Sequence, residues 1–274
     1  MSDRNILSSA GAVWGLAASL TMSDPALAQD DSQELAKQLS NPISSLISVP
    51  FQGNYNGGIG PLEDGRQYFV NVQPVIPFAL NEDWNLISRT IIPFIHQEDI
   101  FPGAGDQTGL GDTVQSLFFS PSEVVNGFTW GAGPVFLVPT ATDELLGSDK
   151  WGVGPTGVAL WQGGGWTIGA LANHIWSVAG DEDNPEISST FLQPFIGYTT
   201  PDAWTFTLNT ESTYNWETEE WSIPINFLVA KLVTIGKQPV SIQGGVRYWA
   251  DSPEDVGPTG WGGRFSVTFL FPKK

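Results

Sequence analysis

Residues 203–216 read AWTFTLNTESTYNW, and their alternation restricts the fold more than any other feature of the chain. Trp204, Phe206, Leu208, Thr210, Ser212, Tyr214 and Trp216 fall in one register, and Thr205, Thr207, Asn209, Glu211, Thr213 and Asn215 fall in the other. A period of two over this length means a β-strand whose side chains point alternately to two faces. One face is apolar and aromatic at both ends; the other is polar with a carboxylate near its middle. A soluble sandwich would bury the first face and wet the second, whereas a membrane barrel would put the first in lipid and the second in its lumen.

The rest of the chain favours the barrel. Short strands are expected near 46–56, 67–79, 84–95, 110–120, 128–140, 151–161, 166–178, 188–199, 203–216, 221–234, 239–250 and 260–271, separated by Gly, Pro, Asn and Asp. About twelve strands is an even number, as bacterial barrels require. No helical pattern of ordinary length separates them, which argues against a parallel α/β sheet. Short connections such as QGGG and TPD alternate with longer ones such as HQEDIFPGAGDQTG, although the ETEE connection after the ninth strand is short. That alternation matches periplasmic turns and extracellular loops, with both termini periplasmic. Trp84, Trp161, Trp166 and Trp204 lie beside short turns, with Trp130 just inside them. Trp151, Trp176, Trp216, Trp221, Trp249 and Trp261 lie at the opposite strand ends. Two such belts suit indole rings at two membrane–water interfaces.

Composition supports the same class. Charged residues make up 15% of the 274 residues, low against about 25% in soluble domains. The formal charge of −18 argues against nucleic-acid binding, which needs a basic stripe. With no Cys, the chain has neither disulfides nor thiolate chemistry, and His96 and His174 are its two histidines. Residues 1–28 read as a secretory signal: Arg4, an apolar run from Ile6 to Met22, and Ala26-Leu27-Ala28 as the cleavage site. A single membrane helix is the competing reading of that run. Removal of residues 1–28, with Asp3, Arg4 and Asp24, takes the charge from −18 to −17. Residues 29–45 form a polar leader with Leu35, Ala36 and Leu39 on one helical face, read as a short helix or plug ending before Pro42, or as a disordered leader. The barrel proper is expected over 46–274.

Three stretches carry a family resemblance: NPISSLISVPFQGNYN at 41–56, TGLGD at 108–112, and FSVTFLFPK at 265–273. Together they resemble the outer-membrane "transporter" family of the MetA-pathway of phenol degradation type, over roughly 41–274. The resemblance implies a transmembrane antiparallel up-and-down β-barrel that passes small, often hydrophobic or aromatic, compounds. The family offers no catalytic residues to carry over. Here Pro272-Lys273-Lys274 follow the final Phe, a departure from barrels that end on the aromatic residue offered to the assembly machinery.

Other chemistries fit less well. The Gly-rich segments GGIGPLEDG and GAGDQTGLGD lack the spacing of phosphate loops. His174 and Ser177 are three apart and so lie on opposite faces of a strand, and His96 stands at a loop mouth, so local sequence supplies no nucleophile–base pair for a lipid hydrolase. Asp181-Glu182-Asp183 lacks the ligand pattern of an EF-hand, and the acidic loops read as solvated charge. No cofactor and no metal site is expected; lipid, the barrel-assembly machinery and a small solute are the expected partners.

Extending the register of 203–216 to the other strands gives the candidate pore-lining residues Asn71, Gln73, Arg89, Gln115, Gln193, Asn209, Glu211, Asn226, Gln243, Arg247 and Arg264. An arginine facing lipid at the midplane costs about 2–4 kcal/mol, which directs Arg89, Arg247 and Arg264 inward. Glu211 is expected to face Arg247 and Arg264 across water. The reading is an outer-membrane channel for small solutes in a Gram-negative-type bacterium. A closed or plugged structural or adhesive barrel and a secreted β-sandwich are the alternatives, with an outer-membrane lipid hydrolase, its catalytic contacts made across strands, behind them.

Overall fold

The computed structural model describes residues 25–272. A helix, α1 (Pro25–Leu39), leads into twelve antiparallel strands that close into a barrel. The strands are β1 (Ile47–Ile59), β2 (Gly65–Val72 continued by Val75–Ala79), β3 (Trp84–Glu98), β4 (Asp106–Leu110 continued by Thr113–Pro121), β5 (Phe128–Val138) and β6 (Lys150–Gly163). They continue as β7 (Trp166–Gly180), β8 (Ser188–Thr199), β9 (Trp204–Thr210 continued by Ser212–Asn215), β10 (Glu220–Ile235), β11 (Gln238–Asp251) and β12 (Gly260–Phe271). Each strand pairs with its sequence neighbours. β12 closes on β1 from Ile47 opposite Phe271 to Tyr55 opposite Gly263, so no edge is left unpaired along the seam. Closure satisfies the backbone donors and acceptors that lipid cannot.

The strands turn tightly at one end, as at Gly164-Gly165, where both residues take positive φ and set a two-residue hairpin turn. The other end carries the longer loops. Among the described residues no helix is long and apolar enough to cross a membrane; crossing by strands is a separate matter. The outer face is an apolar band in which Phe51, Val70, Phe94, Ile168, Ile196, Phe206, Leu208, Phe227 and Phe265 stand exposed. Aromatic rings border it. Trp84 meets Trp130 edge-on at 6.0 Å and Trp166 meets Tyr198 at 4.9 Å near the short turns; Tyr214 meets Trp216 at 4.8 Å near the loops. Such a band between two aromatic girdles marks a membrane-spanning barrel.

One member of the expected belts is elsewhere. Trp249 pairs with Pro224 and shares the inward face with Arg247, whose guanidinium lies 5.6 Å from the indole ring. Position at a strand end placed it in the belt; the parity of β11 turns it inward.

α1 is longer than the expected short helix and runs unbroken across Ala26–Ala28. Residues 1–24 of the expected signal lie outside the described residues. The helix sits inside the barrel at the short-turn end. Ala36, with Leu35 and Leu39, packs against Ala203, Leu232 and Leu270, and Leu46 completes the cluster. Beyond the helix, Ile43 inserts among Ile87, Phe118, Val158, Leu160 and Leu171 on the opposite wall. Hydrogen bonds add to this: Gln162 Nε2 donates to Lys37 O at 2.8 Å and Gln33 Nε2 to Thr199 O at 3.5 Å.

Candidate permeation pathway

The polar register of β9 turns inward. Asn209 stands beside Asn226 of β10, which stands beside Arg247 of β11, and Arg264 of β12 stands beside Asn54 of β1. Paired residues share a face, so the ladder carries one polar surface across the barrel seam. The side chains close into a single latch. Glu211 accepts from Arg264 at 2.8 Å (Nη1 to Oε1) and 2.6 Å (Nη2 to Oε2), a two-pronged contact, and from Arg247 Nη2 at 3.0 Å. Arg247 Nε donates to Asn226 Oδ1 at 2.9 Å, Arg264 Nε to Asn54 Oδ1 at 2.8 Å, and Asn226 Nδ2 to Asn209 Oδ1 at 2.8 Å. Both guanidiniums are buried, and the Glu211 side chain keeps 21% exposure. The contacts are direct, not across water as the spacing of the strands suggested, because the long arginine side chains reach Glu211 from two strands away (Arg247) and three (Arg264). Planar guanidiniums suit this bidentate recognition of a carboxylate.

Between the latch and the docked N-terminal segment lies a cavity of about 240 Å³. Gln73, Arg89, Gln193, Asn209, Glu211, Gln243 and Arg264 supply its polar wall; Leu39, Phe195, Leu228 and Leu232 supply an apolar one. Arg89 comes in from β3, and its Nη2 donates to Gln73 Oε1 at 3.2 Å. On the loop side of the latch a chain of amides runs along the inner wall over four adjacent strands, β1 to β4. Asn56 Nδ2 donates to Gln67 Oε1 at 3.3 Å, Gln67 Nε2 to Gln97 Oε1 at 3.2 Å, and Gln97 Nε2 to Gln107 Oε1 at 3.1 Å. Gln97 Nε2 also reaches Leu145 O at 3.1 Å, so the loop between β5 and β6 folds against this chain. Asp112, the last residue of the TGLGD stretch, fastens that loop: it accepts from Ala141 N at 3.2 Å and from Ser148 N and Oγ, both at 2.7 Å.

The structure brings ten of the eleven candidate residues to the inner face and moves one. Gln115 pairs with Thr90 and Phe136 and lies on the outer face, where Thr90 Oγ1 donates to it at 2.6 Å and its own Nε2 donates to Ser88 Oγ at 3.0 Å. The cause is a bulge at Gly111-Asp112. Phe94 pairs with Leu110 but Ile91 with Val114, so three residues of β3 face four of β4. Everything after the bulge changes face: Gln107 points inward, Gln115 outward, and Ser116 and Phe118 replace it on the inner wall. Asn54, Asn56, Gln67, Gln97 and Gln107 were not singled out from sequence. The alternation of Gln52, Asn54 and Asn56 in QGNYN carried the signal for the first two.

His174 lies on the outer face, its Nδ1 2.7 Å from Thr190 Oγ1 and its ring 4.0 Å from that of Trp176. Ser177 is bound instead to Glu186 and to Ile187 N. His96 is also outward, 2.7 Å from Thr108 Oγ1 and 3.0 Å from Glu98 Oε1. At the loop end a cleft of about 700 Å³ is rimmed by Asp143, Glu144, Asp149, Asp181 and Glu186. Lys150 is buried beneath it and pairs with Glu186 at 3.1 Å. The Ser177 hydroxyl and then Lys150 hold the Glu186 carboxyl below the usual carboxylate range. Among the described residues no three His, Cys, Asp or Glu side chains are placed to hold a metal ion.

No protein-family model and no curated protein matches the sequence. Solved structures do match the fold. An outer-membrane channel from Pseudomonas putida F1 superposes with a TM-score of 0.65 at 15% identity, covering 82% of this chain and 94% of the other. The NanC porin superposes with a TM-score of 0.51 at 10% identity, covering 82% of this chain and 100% of its own. The architecture is that of the outer-membrane β-barrels.

Proposed function

We propose that the chain is an outer-membrane channel for small solutes, gated at its periplasmic end by residues 33–46. The observation that carries this reading is the mid-barrel cavity, walled by polar and apolar strand residues and floored by a segment that belongs to no strand. A barrel built only as a shell would fill this level with side chains from its own wall. The docked segment is held by small apolar clusters and by hydrogen bonds such as that from Gln162 to Lys37, and it can leave without breaking any strand pairing. The loops then lie outside the cell and the turns in the periplasm, with residues 1–28 removed on export. The likeness in fold to the Pseudomonas putida F1 channel supports passage of solutes. The resemblance of 41–56, 108–112 and 265–273 to the phenol-degradation transporter family supports hydrophobic or aromatic ones. Planar-bilayer recording tests the reading. The full mature chain should show small, intermittent conductance steps, and a variant lacking residues 29–40 larger and steadier ones. Silence from both, in preparations that show the heat-modifiable migration of a folded barrel, would leave a closed structural barrel as the better account.

A further inference from the structure

We propose that the mid-barrel cavity is a binding site for a small organic carboxylate, clamped by Arg89. The proposal rests on the channel reading above and names the solute class for the same lumen.

The first observation is charge. Three guanidiniums, Arg89, Arg247 and Arg264, face the latch and cavity against one carboxylate, Glu211, a net charge of +2 inside a chain whose formal charge is −18. The second is how those charges are shared. Both oxygens of Glu211 are taken by Arg264 and Arg247 at 2.6–3.0 Å. Arg89 is left with one neutral partner, Gln73 Oε1, and among the described residues no carboxylate lies within 4.0 Å of it. A guanidinium has five N–H donors in a planar fork, and its best match is a carboxylate. Glu211 acts on Arg89 only through space, with both its oxygens bonded elsewhere, so Arg89 keeps donors to offer a ligand in the cavity it lines.

The third observation is the shape and polarity of the space. About 240 Å³ is below the 300–1,000 Å³ of pockets for drug-sized ligands, so the occupant is small. Phe195, Leu39, Leu228 and Leu232 offer an apolar wall that a bare inorganic anion leaves unused. A molecule with a carboxylate at one end and a compact apolar body at the other satisfies both walls. Gln193, Gln243 and Thr207 also line the cavity and can donate to the second carboxylate oxygen. The acidic rim at the loop end opposes entry of an anion from that side, and ionic strength near 0.15 M, with a Debye length of about 8 Å, weakens the opposition. Leu39 and Ala36 line the cavity from the docked segment, so an occupant touches the gate as well as the wall.

The test is equilibrium dialysis of the detergent-solubilised mature protein with radiolabelled benzoate in chloride buffer, with unlabelled benzamide, its neutral isostere, as competitor. The expected result is one benzoate per chain, displaced by unlabelled benzoate and not by equal benzamide. Arg89→Gln should weaken binding by about tenfold or more, the usual weight of a hydrogen bond to a charged group, and Arg89→Lys by less. If Arg89→Gln fails to give a folded barrel, the benzoate–benzamide comparison on the unaltered protein decides alone. Equal competition by benzamide, absence of saturable benzoate binding, or unchanged affinity in a folded Arg89→Gln variant would each overturn the proposal. Bilayer recording on the same preparations separates the two readings. Conductance without benzoate binding sinks the site and leaves the channel; selective benzoate binding without conductance sinks the channel and leaves the site.

Discussion

The two halves of the barrel wall fill one lumen by opposite means. β1 and β9 to β12 present Asn54, Asn209, Glu211, Asn226, Arg247 and Arg264, and each group is matched to a partner across the strands. β3 to β7 present Ile87, Phe118, Val135, Val158, Leu160 and Leu171, all buried, with Ile43 of the N-terminal segment seated among them. The difference lies in how each half responds to loss. A buried ionic network depends on every member, because removing one strands the others in a poorly solvated space. An apolar wall loses only contact area and can relax around the gap. The ionic network thus holds the barrel's cross-section fixed, while apolar patches, the β3 to β7 wall under Ile43 and Leu232 with Leu270 under the helix, offer non-directional seats that a segment can enter and leave.

The largest expected effect comes from breaking the polar half. Glu211→Gln leaves Arg247 and Arg264 without their carboxylate and should lower folding stability in vesicles by about 3–5 kcal/mol. Urea unfolding followed by Trp fluorescence reads it; a loss below about 1 kcal/mol, the level of a solvated pair, would show that water screens the latch. Next comes the register that separates inside from outside. Leu208 is 48% exposed on the outer face and Thr207 lines the cavity. Leu208→Arg should therefore cost about 2–4 kcal/mol and cut the yield of folded barrel far more than Thr207→Arg does. Similar yields from the two variants would contradict the inward and outward assignments.

The apolar half is tested at Ile43. Ile43→Ala should weaken docking of the segment by about 2–4 kcal/mol, since Ile43 is buried among Ile87, Phe118, Val158, Leu160 and Leu171. Limited proteolysis should then cut within 33–46 faster, with β-strand content unchanged by circular dichroism. The smallest effect lies at the loop rim. Because the folded carboxyl of Glu186 sits below its ordinary range, its contribution is present above the unfolded value and fades as pH falls through the folded one. Cleavage in the 181–187 loop should rise on acidification below the usual carboxylate range, and Ser177→Ala and Lys150→Met should each remove part of that dependence.

How much of this was legible in the sequence depends on the half considered. Strand positions followed from alternation and from turn residues such as Gly164-Gly165, and the polar half followed from the parity of 203–216. Arg247, Arg264 and Glu211 could be placed inward because lipid would not accept them. The apolar half was opaque. In β4, Leu117 and Phe118 are both apolar yet point to opposite faces, so periodicity carries no signal there. The same strand hid the bulge at Gly111-Asp112, a change of one residue that composition does not reveal and that sent Gln115 outward. The seat of Ile43 was equally hidden, since a contact between the leader and β3 to β7 is a product of closure and not of local pattern.

The central claim is that the docked segment gates the lumen, and a reversible tether tests it most directly. The chain has no cysteine, so Lys37→Cys with Gln162→Cys places the only thiols on two residues already in contact, Gln162 Nε2 lying 2.8 Å from the Lys37 backbone carbonyl. A short, reducible bis-thiol cross-linker would pin the segment to β6 in proteoliposomes. The account predicts that uptake of a small labelled solute falls sharply when the pair is linked and recovers when the linker is reduced. Equal uptake in the linked and reduced states would show that solutes pass without moving residues 33–46, and would contradict the gate.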